Sequence, residues 1–256
     1  MSLLFTYKIF ITTGWFLIVF IAERLFKAAR LPQGLEKTEG VYRIARNLSL
    51  STVNMVLSPF IIIPITAYFS RYSIDWRPLW MQGDGWILLD ILILDGFLYM
   101  WHRLVHQLPV LWRFHRVHHL DEFLDSTSAL RFHCGEVILA AIVRSAIVVI
   151  LAISVQSIIL FEIIVMVAVI FHHSNLRIPA VIEHSLSQLI VTPAIHWVHH
   201  HAKREDTDAN YATIFSFWDR LFGTLSHTER TPDLKIGVEG DTEKNVLQLF
   251  ILPFRR

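Results

Sequence analysis

The sequence predicts an all-α, polytopic membrane protein with about four to five transmembrane helices and a helical cytoplasmic cap. Three observations carry that expectation. The chain of 256 residues is 54% hydrophobic with a mean hydropathy of +0.47, more apolar than an ordinary soluble domain of this length. Its apolar residues gather in five stretches close to the about 20 residues that cross a hydrocarbon layer of roughly 30 Å. Most of its 14 histidines fall into four tight groups at or beyond the ends of those stretches.

The first stretch, Leu4 to Ala22, carries Lys8 near its start, where the long side chain can snorkel to the interface. It has no small-residue cleavage site and is expected to be a retained anchor. Arg24, Lys27, Arg30, Lys37, Arg43 and Arg46 follow and place this connection in the cytoplasm. The second stretch, Leu48 to Phe69, contains Pro59 and Pro64, each of which removes a backbone donor and predicts a kink. The third, Trp86 to Trp101, is followed by Arg103, Arg113, Arg116 and Arg131, again cytoplasmic. The fourth and fifth, Val137 to Ile153 and Val155 to Phe171, form a hairpin about an uncharged turn at Ser154 to Ser157. Within it, Arg144 and Glu162 are expected to pair, because an isolated charge inside a membrane is costly.

Five spans put the N-terminus outside and the C-terminus inside. The cap is drawn from 102–136 and from 173 onward, with a loosely held loop from Thr228, where Pro232, Gly237 and Gly240 occur. No linker or repeat divides the chain, so 1–256 reads as a single membrane-embedded domain. A formal net charge of +1 gives no basic surface for nucleic acid. The lone cysteine, Cys134, excludes an intramolecular disulfide.

The histidine groups are His102/His106, His115/His118/His119, His172/His173 and His196/His199/His200, with His201 beside the last. Positions i, i+3 and i+4 share a helix face, so each group can aim two or three imidazoles at one point. Histidine is costly to bury without a hydrogen bond or a metal. The pattern is that of transition-metal ligands, and neutral imidazoles suit iron, zinc and copper alike. Two triplets of matching spacing suggest a histidine-rich di-metal site in the cap.

The HExxH motif of zinc proteases and the ExxH motif of soluble di-iron bundles are both absent. Asp95, Tyr99, His102 and His106 lie on one helical stripe, so Asp95 is expected to accept a hydrogen bond from a ligating histidine, with Tyr99 beside it. Asp90 lies off the stripe and is given no catalytic role. Asn210 and Asp219 are candidates for supporting the cap. A metal transporter would string its ligands along a path across the bilayer, and a metal-stabilised structural protein would consume no O2.

Several segments carry a family resemblance. Asp95-Gly-Phe-Leu-Tyr-Met-Trp-His-Arg-Leu-Val-His106, Trp112 to His119, Leu130-Arg-Phe-His-Cys-Gly-Glu136, Phe171-His-His-Ser-Asn-Leu-Arg177, His196 to His200, and Asn210-Tyr211 through Trp218-Asp-Arg-Leu-Phe-Gly-Thr224 together resemble the fatty acid hydroxylase superfamily, also called the sterol desaturase family, in its short bacterial type. The likeness runs from about residue 86 to 225. It implies a four-to-five-helix membrane fold in the bacterial inner membrane. A histidine-ligated di-iron centre would face the cytoplasm and use O2 and electrons to hydroxylate or desaturate a fatty acyl chain or sterol.

Carried over by motif, the ligands are His102, His106, His115, His118, His119, His173, His196, His199 and His200. His173 is preferred to His172 because it precedes the small residue and Asn. His133 is preferred to His184 as a tenth ligand, although Cys134 stands where the family has proline. Zinc could replace iron in purified samples. With no cytochrome b5, flavin or ferredoxin segment in the chain, the resemblance implies a separate electron donor of ferredoxin, cytochrome or flavin reductase type. A basic rim at Arg113, Arg116, Lys203 and Arg204 could receive it. The competing reading is a metal-binding membrane protein, transporter or structural, without oxygenase activity.

Overall fold

The computed structural model describes residues 2–32, 39–61, 64–65, 68–69, 76–78 and 83–255. The apolar stretches become helices: α1 (Ser2–Leu25), α2 (Glu39–Leu57), α3 (Ile87–Gln107), α4 (Pro109–His119), α5 (Cys134–Ile150) and α6 (Val155–His173). Shorter ones follow in α7 (Ala180–Ser187), α8 (Pro193–His199), α9 (Arg204–Thr207), α10 (Phe217–Leu221) and α11 (Val246–Ile251). Among the described residues there is no strand, only isolated bridges such as Ile190 with Phe215. The all-α expectation therefore holds for them. By length and composition, α6 is the one described helix able to cross a membrane.

The second expected span departs from the sequence reading. The helix begins at Glu39 and ends at Leu57, two residues before Pro59, so no kinked helix is seen there. Pro64 is helical together with Ile65, whose amide donates to the Ile61 carbonyl at 3.1 Å, while 62–63 and 66–67 lie outside the described residues. Tertiary bonds explain the early start. Arg43 donates to Asp121 at 2.9 Å and also to Asp125, while Asn47 donates to Asp121 at 2.9 Å and to Thr127 at 3.1 Å. The two carboxylates beside Arg43 raise its pKa despite burial. A segment expected to be a loop is thus drawn into a helix that clamps the 121–128 turn.

The turn between α5 and α6 falls where expected, although α6 packs chiefly on α1, α8 and α3. The Ser154 hydroxyl caps α6 by accepting from the Ser157 amide at 3.0 Å, which satisfies one of the free amides of a helix start. Arg144 and Glu162 pair at 3.1 Å. Lys8 joins them at 2.5 Å, a correction to the expectation that it snorkels away. Asp90 proves structural, held by Arg77 at 2.7 Å and by the Ser157 hydroxyl at 2.7 Å.

Between α3 and α4, Leu108 is extended with φ −93° and ψ 115°, as the residue before a proline must be. That corner turns the end of α3 toward α4, and it brings their histidines together. The C-terminal tail is not the loose loop expected. Ala202 donates to the Lys235 carbonyl at 2.7 Å, Arg131 grips Glu243 through two bonds of 2.8 Å, and α11 starts with a capping box of Asn245 and Gln248. Leu249 is completely buried.

Candidate metal centre

Nine imidazoles converge in two adjoining groups. The first holds His102, His106, His115, His119 and His199, and the second holds His118, His173, His196 and His200, with the ligand atoms of each group all within 4.8 Å of one another. The groups touch where the rings of His119 and His200 lie 4.2 Å apart. Helix α3 supplies His102 and His106, α4 its three histidines, α6 supplies His173, and α8 with the residue after it supplies the last triplet.

Five rings have their outer nitrogen fixed. His102 Nδ1 donates to the Tyr211 carbonyl at 2.7 Å, His118 Nδ1 to Arg131 at 3.1 Å, His173 Nδ1 to Val169 at 2.8 Å and His199 Nδ1 to Ala209 at 2.7 Å. His115 Nδ1 donates to the Glu136 carboxylate at 2.7 Å. A neutral imidazole that donates from Nδ1 presents a bare lone pair at Nε2. In two pairs these lone pairs face one another: His102 and His115 Nε2 are 3.2 Å apart, and His173 and His118 Nε2 are 3.1 Å apart, with His196 Nε2 a further 3.0 Å from His173.

Protonation does not relieve that repulsion. Burial, and after it the neighbouring histidines, hold His119, His196 and His200 well below the usual imidazole pKa. His118 and His199 are likewise held well below it, chiefly by burial. Both ring nitrogens of His106, His119 and His200, and Nε2 of His199, are buried without a hydrogen-bond partner, a costly condition unless a metal takes the lone pairs. The donor set therefore fits a pair of transition-metal ions.

The supports of this cluster differ from those expected. Asp95 does not meet a histidine. It accepts from the Ile214 and Phe215 amides at 3.2 Å each and from Trp218 Nε1 at 2.8 Å, so it holds the back of the loop that carries Tyr211. Gly96 beside it leaves room for that indole, since a Cβ would stand 3.0 Å from the Trp218 ring. The Tyr99 hydroxyl meets Thr224 at 2.9 Å and its ring stacks on Phe222 at 5.1 Å.

Asp219 accepts from Tyr211 N at 2.8 Å, Ala212 N at 3.0 Å and the Thr224 hydroxyl at 2.7 Å. Burial pushes its pKa up to about 6 against those bonds. Asn210, at φ +54°, donates to the Ile195 carbonyl at 3.1 Å. Both thus shape the turn whose carbonyls at Ala209 and Tyr211 anchor His199 and His102. Sequence reading missed Glu136 as a partner of His115. Its signal was a single acid at the head of an otherwise apolar stretch.

His133 stands apart from both groups. Its Nδ1 accepts from the Gly135 amide at 2.9 Å as the cap of α5, and its Nε2 donates to the Phe250 carbonyl at 3.1 Å. His172 packs on His196 with rings 4.0 Å apart, and His201 pairs with Asp206 at 2.7 Å. His184 lies on α7, none of whose residues is buried. The Trp112 ring lies 5.0 Å from His106 and beneath the Arg204 guanidinium at 4.5 Å. Of the basic rim, Arg204 bonds to Asp208 at 2.6 Å and Arg116 lies 3.6 Å from Asp241.

The model of the family described as fatty acid hydroxylase matches residues 87–224, more than half of the chain and every helix that bears a histidine of the two groups. The chain belongs to the fatty acid hydroxylase family. It is 26% identical over 193 residues to ornithine lipid hydroxylase OlsE of Rhizobium tropici, covering 75% of this chain and 56% of that protein. It is 29% identical over 164 residues to alkylglycerol monooxygenase of Danio rerio, with 62% and 33% covered. It is 28% identical over 159 residues to a cholesterol 25-hydroxylase-like protein of the same fish, with 59% and 62% covered. The chain thus spans less than two thirds of the length of each of these relatives. No solved structure matches it.

Proposed function

We propose that this fatty acid hydroxylase family chain is a membrane di-iron oxygenase that hydroxylates or desaturates a lipid, with its histidine face toward the cytoplasm. The observation that carries this reading is the convergence of nine imidazoles, eight of them buried, into two adjoining groups. Two sites side by side support joint work on one small molecule. Ligands strung out for transport would not adjoin in this way. The named lipid hydroxylase and monooxygenase relatives point to the same reaction class.

His102, His106, His115, His119 and His199 would hold one iron, and His118, His173, His196 and His200 the other. Bound there, the two irons would supply the reduction of O2 to an oxidant able to attack an unactivated C–H bond. The residues of the chain do the rest. Glu136 and the four carbonyl anchors hold the rings in the tautomer that ligates. The low imidazole pKa values keep the ligands neutral at physiological pH. Exposed apolar side chains on α1, including Ile9, Phe10, Leu17, Ile18 and Ile21, suit contact with lipid, and the same placement would give an acyl chain its route to the site.

The test is metal content and turnover together. Purified protein should contain about two irons per chain, and its O2-dependent modification of a bacterial lipid extract should follow iron loading. Full activity with one metal, or with zinc alone, would overturn the di-iron reading.

A further inference from the structure

A cavity of about 1670 Å3 opens beside the metal centre, bounded by the end of α1, the segment after α6 and the C-terminal tail. Lys27, Arg30, Arg177 and Lys235 line it and are exposed. Among the described residues none of the four has an ion-pair partner. Most acids of the same wall are already engaged: Asp125 with Arg43, Glu23 with Arg24 and Ser126, and Glu243 with Arg131. Asp241 pairs with Lys244, and Asp233 and Glu122 are the acids there without a cation among the described residues, Glu122 accepting from the Glu243 amide at 3.2 Å. Four unpaired cations against two unpaired acids leave the free charge of the wall positive by about two.

Its wall also leads to the metal ligands. Trp197 lines the cavity, is 1% exposed and follows His196 directly in the chain. Its indole Nε1 donates at 3.0 Å to the carbonyl of Ser174, the residue after His173. Trp197 thus joins this basic surface to the backbone beside two ligands of the second group, to His196 as its chain neighbour and to His173 through the hydrogen-bonded carbonyl of Ser174.

From this we infer that the basic cavity at Lys27, Arg30, Arg177 and Lys235 is the docking surface for an acidic one-electron carrier of [2Fe–2S] ferredoxin class. The inference rests on the oxygenase reading. That reaction consumes a lipid C–H, O2, two electrons and two protons and yields the alcohol and water, so two reduced carriers must each lose one electron. Charge complementarity steers such encounters and makes them salt-dependent. Arg113 and Lys203 of the other basic edge are exposed as well, but they lie in a rim whose remaining members, Arg116 and Arg204, already face Asp241 and Asp208. An anionic lipid surface would also be drawn to four cations; the path through Trp197 favours the carrier.

The experiment measures binding of an oxidised plant-type ferredoxin to the full chain in nanodiscs, with and without iron, by calorimetry at two salt concentrations. We expect salt-sensitive binding that the combined variant Lys27→Glu, Arg30→Glu, Arg177→Glu and Lys235→Glu weakens by about tenfold or more. The pair Arg113→Glu and Lys203→Glu should alter it less than about twofold. Unchanged binding in the fourfold variant overturns the inference, as does loss in the Arg113/Lys203 pair. It is equally overturned if the unmodified chain ignores ferredoxin and uses these cations to bind phosphatidylglycerol vesicles. If the binding pattern holds while no electron source, dithionite included, supports lipid oxidation, the oxygenase reading falls and the docking surface remains.

Discussion

At the scale of single residues, the carboxylate that matters most to the ligands is Glu136, and the aspartate on the histidine stripe acts from further away. Glu136→Gln keeps the shape but removes the charge that His115 Nδ1 meets at 2.7 Å, so metal affinity should fall about 10–100-fold. Asp95→Asn should leave metal affinity much less affected and lower the unfolding free energy by about 1–3 kcal/mol, because it weakens three bonds to the 214–218 loop. Metal analysis after dialysis against a graded chelator separates the two. Equal losses of iron would refute the assignment. His133→Asn, which preserves a cap on α5, should retain full metal content, whereas His199→Ala should not. The histidines were legible in the sequence because helical spacing puts them on one face. Their anchors were not, because a backbone carbonyl such as that of Ala209 or Tyr211 leaves no mark on residue identity. Helical phase placed Asp95 in the right helix and named the wrong partner, since the neighbouring loop competes for the same carboxylate.

At the scale of elements, the C-terminal tail and α2 together brace the turn that connects α4 to α5. Arg131 is completely buried and divides its donors among Val117 O at 2.8 Å, Asn47 at 3.0 Å and the Glu243 carboxylate. Glu243→Ala would leave that guanidinium buried without its counter-charge, which costs about 3–5 kcal/mol. Thermal unfolding in detergent should show a marked fall in midpoint, and an unchanged midpoint would mean the tail is not part of the folded unit. The sequence made the turn between α5 and α6 plain, because two apolar runs flank a polar, uncharged stretch. It concealed the tail, whose glycines and prolines suggest a loop although its order comes from Arg131 and from burial of Leu249. It also concealed the start of α2, where the pull of Asp121 and Asp125 on Arg43 outweighs local composition.

At the scale of the whole molecule, two consequences concern the medium on either side of the metal centre. His118, His119, His196, His199 and His200 are held neutral with pKa values well below the usual one, while in the unfolded chain they would titrate near about 6.5. Below that pH the unfolded state takes up protons that the folded state refuses, so folding stability is complete above about 6.5 and declines as pH falls. Chelated protein should therefore unfold more readily at pH 5.5 than at 7.5, and restoring iron should protect it at both; identical stability at the two pH values would contradict neutral burial of the rings. The second consequence is topological. The turn at Ser154 carries no charge, whereas the segments holding Arg24 to Arg46 and Arg103 to Arg131 are basic, for which the positive-inside rule predicts a cytoplasmic place. His102 and His173 lie near the ends of helices on the same side as those basic segments, so the proposed function would place the histidine face and its electron donor together in the cytoplasm. In a Cys134→Ser background, a cysteine at Ser154→Cys should react with an impermeant maleimide added to intact cells, and one at Lys203→Cys should react only after the membrane is opened. Reaction of both from the same side would reverse the orientation of the site and remove any cytoplasmic carrier from reach of it.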